Sequence, residues 1–329
     1  MMAALLVVAA SVPCGSCHVQ QTRQHQATMM AHTLSPPAQS PVFREMPKLR
    51  YTMGPYQYEI DAQRYRVTDG TSTIDAPIHW AVGQGEAGQT WVIEHNGQLM
   101  ESRVSFYADS KSLGSTIGAP PGLPKNLLEA AGRELTPRAL TECFNCHSAP
   151  PVTLPAGVSR GTLAWTQALR AGVQCESCHL QADRHAASVA AAAKPELRPP
   201  SLKKVGAEEL SDVCGKCHRT WADIASNGPR GVGNVRFQPY RIARSKCYDA
   251  ADARISCSAC HDAHNRPDRA AAIAATKPAC LSCHPQGCKT GATQNCASCH
   301  MPKYEIPGSH FSFTDHWIRV VRNKNDYPD

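Results

Sequence analysis

One pattern constrains this chain more than any other, because C-x-x-C-H occurs in it seven times. The copies run Cys14–His18, Cys143–His147, Cys175–His179, Cys214–His218, Cys257–His261, Cys280–His284 and Cys296–His300. They use 14 of the 16 cysteines, and every C-x-x-C in the chain is followed directly by histidine. Any fold for this sequence must therefore bring seven pairs of thiols and seven imidazoles to defined places.

The histidine after each second cysteine separates the possible chemistries. Zinc knuckles pair two C-x-x-C units and do not require histidine at the next position. Thioredoxin-like redox pairs occur singly in a βαβ context, which this sequence does not show. A disulfide framework gives no reason for the histidine. Covalent haem attachment needs all three residues, because the two thiols form thioethers and the histidine is the proximal ligand of the iron.

The pattern therefore predicts seven covalent haem c groups. The predicted thioether cysteines are Cys14, Cys17, Cys143, Cys146, Cys175, Cys178, Cys214, Cys217, Cys257, Cys260, Cys280, Cys283, Cys296 and Cys299. The predicted proximal ligands are His18, His147, His179, His218, His261, His284 and His300. Cys247 and Cys288 are left over, and they either pair as a disulfide or stay free.

Haem also accounts for the composition. Aromatic residues make up only 6% of the chain, which is little material for a core of 329 residues. Large apolar macrocycles would replace that core, so folding and cofactor insertion should be coupled. The formal net charge is +7, and each ferric haem with ionised propionates adds roughly −1. The charges largely cancel, and we therefore expect no nucleic-acid partner.

Residues 1–10 are expected to be a signal-peptide-like segment, because residues 3–10 form an apolar run too short to span a bilayer. The run lacks the basic residues that usually precede such a segment, which leaves open a start further upstream. No other stretch is apolar for long enough to cross a membrane. The sequence thus predicts a periplasmic or otherwise exported protein with no transmembrane span in the mature chain.

Motif content and hydrophobic pattern change along the sequence. Residues 11–40 form a first haem segment. Residues 41–125 hold no C-x-x-C-H and read as short alternating strands, with a two-residue hairpin signal at Asn96-Gly97. Residues 126–320 carry the other six motifs and a C-terminal ligand tail. The predicted fold class is a mainly α and irregular multihaem cytochrome c fold, with a small antiparallel β domain inserted between motifs 1 and 2.

Eight of the 15 histidines lie outside the motifs, and seven haems with two axial histidines each would need seven of them. The candidate distal ligands are His185, His264, His316, His310, His32, His25 and His79. His95 and His79 lie on predicted strands, where a surface or hydrogen-bonded role is the alternative.

Spacing limits which iron each candidate can reach. His25 lies seven residues after His18, roughly 10 Å along a helix, so the two cannot share one iron. His25, His32 or Met30 would serve a neighbouring haem or none. His264 follows His261 by three residues and cannot readily turn back to the far side of that ring, so it should reach an adjacent haem. His185, six residues after His179, is interpreted in the same way.

These residues resemble those of multihaem c-type cytochromes, and the chain is similar to the superfamily of hydroxylamine oxidoreductase and its tetrahaem acceptor cytochrome. The likeness covers most of residues 11–320 and rests on "CGSCHVQQTRQHQATMMAH", "GVQCESCHLQADRH", "LSDVCGKCH", "PYRIARSKC", "ISCSACHDAH", "CASCHMPK" and "FTDHWIR". It implies loop-rich helical domains with closely stacked haems, acting outside the cytoplasm, and distal roles for His185 and His264. The chain lacks the C-x-x-C-K motif of nitrite-reducing relatives, and no cross-linking tyrosine is identifiable.

Two functions follow as hypotheses. The first is an electron-transfer protein, oxidoreductase-like but without bond chemistry of its own, whose haems mostly carry two histidines and whose partners are redox proteins or quinol-oxidising complexes. The second is a reductase or oxidase of a small nitrogen or sulfur compound, with one open catalytic haem. A structural or polymeric wire subunit is a third alternative. The sequence favours the electron carrier and identifies no catalytic residue.

Overall fold

The computed structural model of the chain describes residues 13–149, 154–191, 198–203, 205–265, 267, 269–288, 295–323 and 326–329. The predicted signal-like segment, residues 1–10, lies outside the described residues. Within them the structure combines short helices with antiparallel sheets, as the sequence predicts in outline.

Most strands belong to one curled antiparallel sheet. The strands of the chain are β1 (Leu34–Ser35), β2 (Lys48–Met53), β3 (Tyr56–Asp61), β4 (Arg64–Thr68), β5 (Thr73–Val82), β6 (Thr90–His95), β7 (Gln98–Ser102), β8 (Val104–Tyr107), β9 (Ser112–Ser115), β10 (Gly132–Glu134), β11 (Ser148–Ala149), β12 (Arg170–Ala171), β13 (Lys303–Glu305) and β14 (Ser312–Thr314). The large sheet has the order β10-β7-β6-β5-β4-β3-β2, and β1 pairs with β5. Strands β8–β9, β11–β12 and β13–β14 form separate two-stranded sheets.

The alternating pattern of the sequence explains the faces of this sheet. In β3 and β4 every second residue is buried, and Ile60, Tyr65 and Val67 are fully enclosed. Trp91 on β6 stacks on Phe43 with 5.6 Å between ring centres. Strands β1 and β10 join this sheet from outside residues 41–125, and the predicted segment boundaries stay a prediction.

The helices are short and mostly carry the motifs. They are α1 (Val19–His25), α2 (Pro41–Glu45), α3 (Leu127–Ala131), α4 (Pro137–His147), α5 (Leu163–Ala168), α6 (Cys175–Cys178), α7 (Ala182–Ala190), α8 (Ala207–His218), α9 (Trp221–Asn227), α10 (Gln238–Ile242), α11 (Cys257–Cys260), α12 (Arg269–Leu281) and α13 (Cys296–His300). Single 3-10 turns lie at Cys14–Ser16, Met30–His32, Pro37–Gln39, Gly231–Asn234 and Ala253–Ile255. None of the helices in the described residues combines the length and apolar character that a membrane span requires.

A second apolar cluster joins the large sheet to helices α4 and α5. Trp80 of β5 meets Phe144 of α4 edge to face, and Phe144 in turn meets Trp165 of α5. The Trp80 indole also donates a hydrogen bond to the Thr166 hydroxyl at 2.9 Å. Because α4 ends at His147, this cluster fixes motif 2 relative to the sheet.

Candidate haem-binding cavity

Each motif adopts about one turn of helix. The backbone N–H of the histidine donates to the carbonyl of the first cysteine in motifs 1, 3, 5 and 6, at 2.8–3.0 Å. Motifs 2, 4 and 7 end helices α4, α8 and α13. Residues three and four apart share one helix face. The two thiols and the histidine of a motif are therefore presented to the same side, which is why the chemistry needs this spacing.

All seven motifs open onto one continuous cavity of about 3870 Å³. Every predicted proximal histidine lines it. Of the predicted thioether cysteines, the described lining omits only Cys143, Cys283 and Cys299, and the other cysteine of each of those three motifs lines the cavity. Shared among seven motifs, the volume is about 550 Å³ each, within the roughly 300–1,000 Å³ typical of one small-molecule site.

Within the described residues, three proximal histidines face a second histidine from elsewhere in the chain. The ring centres are 6.4 Å apart for His18 and His185, 5.8 Å for His179 and His264, and 6.2 Å for His261 and His316. The planes of His179 and His264 are nearly parallel, at 4°.

These separations suit two imidazoles on opposite sides of one iron. With a metal–nitrogen bond of roughly 2.0–2.1 Å and about 1.1 Å from nitrogen to ring centre, the ring centres would lie about 6.3 Å apart. Ordinary aromatic pairs span a similar range. What distinguishes these pairs is that one member always ends a C-x-x-C-H motif and that both members line the cavity. The residues present thus fit haem with two axial histidines.

Hydrogen bonds orient four of the cavity histidines through their Nδ1 atoms. His147 donates to the Thr33 carbonyl at 3.1 Å, His218 to the Gln238 side-chain oxygen at 2.8 Å, His300 to the Arg319 carbonyl at 2.9 Å, and His316 to the Thr314 carbonyl at 3.0 Å. Since these oxygens only accept, Nδ1 must carry the proton, which leaves the Nε2 lone pair for a metal.

Burial favours the neutral form of the cavity imidazoles of His147, His218, His261 and His316. Burial lowers the pKa of His147, His218 and His261 below its ordinary value. Burial likewise lowers the pKa of His316 to about 4, with a further contribution from the nearby His261. Neutral imidazole is the form that binds metal ions, so the protonation state agrees with the hydrogen bonding.

The structure divides the predicted distal ligands into two groups. His185, His264, His316 and His25 line the cavity. Burial lowers the pKa of His25, and His264 and His32 lie close enough to add to this effect.

The other candidates are held elsewhere. His79 bonds Glu94 through Nε2 at 2.7 Å, and Nε2 of His32 donates to the Gln26 carbonyl at 2.7 Å. His310 packs its ring against Tyr107 on the β8–β9 hairpin, with 6.2 Å between ring centres. None of the three is among the described residues of the cavity lining. Their assignment as ligands stays a prediction to which the geometry adds no support.

A count of histidines does not show where each ring points. Cys247 and Cys288 are both exposed, and both line the cavity. The sequence did not predict the acceptors Thr33, Gln238 and Arg319. Thr33 and Arg319 act through backbone carbonyls, which give no residue-type signal.

Comparisons with known proteins agree with this site. Residues 168–285 match the family described as cytochrome c3, and residues 125–180 match the family described as cytochrome c554 and c-prime. The multiheme cytochrome MtrA of Shewanella baltica (strain OS185) is 26% identical over 188 residues, which cover 55% of this chain and 49% of MtrA. The match thus spans about half the length of that relative. No solved structure matches the chain. Taken with the seven motifs that line one cavity, these matches support a multihaem c-type cytochrome that takes part in electron transfer.

Proposed function

We propose that this protein is an exported heptahaem c-type cytochrome that passes electrons along closely spaced haems to and from redox protein partners or quinol-oxidising complexes. The observation that carries the proposal is the set of three histidine pairs, each joining a motif histidine to a spare histidine inside one cavity. Haem c, when bound, supplies reversible one-electron chemistry whose potential depends on axial ligand, burial and nearby charge.

The pairs link motifs in series. His185 follows the histidine of motif 3 by six residues and faces the histidine of motif 1. His264 follows the histidine of motif 5 by three residues and faces that of motif 3. His316 lies sixteen residues after the histidine of motif 7 and faces that of motif 5. Short tethers of this kind hold motifs 1, 3, 5 and 7 beside one another, which suits transfer from site to site.

The remaining motifs adjoin this series. Helix α4, which carries motif 2, packs against α8, which carries motif 4. The Cys146 thiol lies 3.5 Å from the Lys216 carbonyl at that contact. Helix α8 also packs against α11, α11 against α12, and α12 against α13. Motifs 2, 4 and 6 are therefore neighbours of the series rather than separate sites.

A second candidate function is a reductase or oxidase with one open iron. It is favoured by four proximal histidines, His147, His218, His284 and His300, whose ring contacts within the described residues include no second histidine. Met29, Met30 and Met301 line the cavity and offer thioether sulfur as an alternative ligand. The carrier is preferred because three of the seven motif histidines face a second histidine across a separation that suits two ligands of one iron.

Spectroscopy of the purified holoprotein separates the two functions. For the carrier we expect seven covalent haems by mass, low-spin ferric signals in the EPR spectrum, and an optical spectrum of the reduced protein that carbon monoxide does not change. A high-spin signal from one haem, together with carbon monoxide binding at that haem, would replace the carrier with the open-iron enzyme. If the mature chain carried no covalent haem, both candidate functions would be wrong.

A further inference from the structure

The C-terminal tail is anchored by an ion pair that is completely withdrawn from solvent. Arg241 on α10 and Asp315 directly after β14 both have 0% side-chain exposure. Nε of Arg241 donates to Oδ1 of Asp315 at 2.8 Å, and Nη2 donates to Oδ2 at 3.0 Å. This two-point contact fixes the relative orientation of the two groups as well as their distance.

Further hydrogen bonds join this pair to the tail and to the Gly231–Asn234 turn. Arg241 also donates to the side-chain oxygen of Asn234 at 3.3 Å and to the Pro328 carbonyl at 3.0 Å. Asp315 accepts the backbone N–H of Trp317 at 3.0 Å and Nη1 of Arg319 at 2.6 Å. The guanidinium of Arg241 also lies 5.3 Å from the centre of the Trp317 ring.

The residues held in this way touch two motifs. His316, next to Asp315, faces His261 of motif 5 across 6.2 Å. The carbonyl of Arg319 accepts the Nδ1 proton of His300 of motif 7 at 2.9 Å. One five-residue stretch thus supplies a facing imidazole to one motif and an orienting acceptor to the next.

Regular secondary structure does not hold this stretch, since residues 315–321 belong to neither a helix nor a strand. Its position depends on side-chain bonds, on the Ile318 N–H, which donates to the Ser245 hydroxyl at 2.9 Å, and on two backbone bonds. In these the Asp315 N–H donates to the Pro302 carbonyl at 2.9 Å and the Arg319 N–H donates to the His300 carbonyl at 3.2 Å. A buried ion pair contributes little net stability compared with apolar packing. Removing one partner, however, leaves an unpaired buried charge and strongly destabilises the folded protein. Such a pair is therefore better explained by the conformation that it specifies.

We propose that Arg241 is a positioning residue that, through Asp315, holds His316 opposite His261 and the Arg319 carbonyl against His300. This inference rests on the proposed function, because it assumes that His316 and His261 are the two axial ligands of one haem. Arg241 itself touches neither histidine in the contacts of the described residues and does not line the cavity.

The test compares four variants of the full holoprotein, each analysed by haem mass, EPR and a redox titration followed optically. Arg241→Met removes the charge, Asp315→Asn keeps the shape of the partner, and His316→Ala removes the assigned ligand. Arg64→Met is the control, because Arg64 bonds Asp75 on the sheet at 2.6 Å in an exposed pair, and neither residue belongs to the described lining of the cavity.

We expect Arg241→Met and Asp315→Asn to keep seven haems, to lose the low-spin signal of the same haem that His316→Ala affects, and to shift the potentials of that haem and of the haem on His300. Arg64→Met should keep the wild-type spectrum. If His316→Ala changes the spectrum while Arg241→Met and Asp315→Asn do not, the positioning role is wrong and the ligand assignment stands. If His316→Ala itself leaves the spectrum unchanged, the ligand assignment on which the role rests is wrong.

Discussion

At the scale of single residues, the histidines outside the motifs differ in which ring nitrogen already takes part in a hydrogen bond. His32 and His79 already use Nε2, for the Gln26 carbonyl and the Glu94 carboxylate respectively. His316 uses Nδ1 for the Thr314 carbonyl and keeps Nε2 directed toward the cavity. A histidine that binds a metal through one ring nitrogen usually donates the N–H of its other ring nitrogen to a hydrogen-bond acceptor. The tautomer therefore distinguishes a structural histidine from a candidate ligand where the count of histidines cannot.

The pair of His18 and His185 gives a prediction at this scale. We expect His185→Ala to keep seven haems by mass and to convert one of them from low-spin to high-spin, because His18 would lose the imidazole that faces it. EPR of the oxidised holoprotein measures this change. His95→Ala is the matched control, since His95 lies at the end of β6 and is absent from the described lining of the cavity. Equal spectra for the two variants would contradict the pairing.

At the scale of elements, local sequence signals predicted the strands better than the helices. Asn96 and Gly97 both have positive φ, at 50° and 76°, as the predicted two-residue turn between β6 and β7 requires. Residues 207–226 form two helices and not one, because Arg219 has a φ of 60° and Thr220 caps α9 with Asp223. A capping box inside an apolar pattern marks a helix start that periodicity alone misses.

The β6–β7 turn supports a stability prediction. Gly97→Ala should destabilise the holoprotein by about 1–2 kcal/mol, because its φ of 76° is strained for a residue with a Cβ. The added methyl meets nothing within 4 Å, so no clash contributes. Thermal unfolding followed by circular dichroism measures the change.

Gly233→Ala is the matched control for that turn. The added Cβ would lie 3.4 Å from Pro229, which is an ordinary contact, and its φ is outside the left-handed region. It should be neutral or stabilising by about 0.4–1 kcal/mol, since alanine restricts the unfolded chain. A loss at Gly233 equal to that at Gly97 would show that backbone strain is not the cause.

At the scale of the whole molecule, the protein has two kinds of interior. The sheet region has a core of its own side chains, with Trp91, Tyr65 and Ile60 fully enclosed. The motif region surrounds a cavity of about 3870 Å³. Covalent cofactors are expected to fill that space, so the stability of this region should depend on haem occupancy.

The positions of the motifs predict that the haems differ in structural importance. Helix α8, which carries motif 4, packs against α4, α10 and α11, whereas α1 packs against the adjoining turn of motif 1. Cys214→Ser with Cys217→Ser should therefore destabilise the protein more than Cys14→Ser with Cys17→Ser, although each double variant loses one haem by mass. A difference of about 2 kcal/mol would lower the Tm by roughly 3 °C in a chain of this length. Equal melting temperatures would argue against a central role for motif 4.

The sequence by itself determined the chemistry of the chain. Seven copies of C-x-x-C-H give the residue types and spacing of covalent haem attachment, because that chemistry is local to five consecutive residues. Alternation and an Asn-Gly turn likewise gave the antiparallel strands, since both depend on near neighbours.

Only the tertiary structure decided which residues meet across the cavity. His185 faces His18 over a separation of 167 residues, and Arg241 and Asp315 are 74 residues apart. No pattern within one sequence encodes such a contact, because it depends on how distant helices and loops pack. The same limit explains why the sequence placed His79, His32 and His310 among the candidate ligands beside His185, although none of the three belongs to the described lining of the cavity.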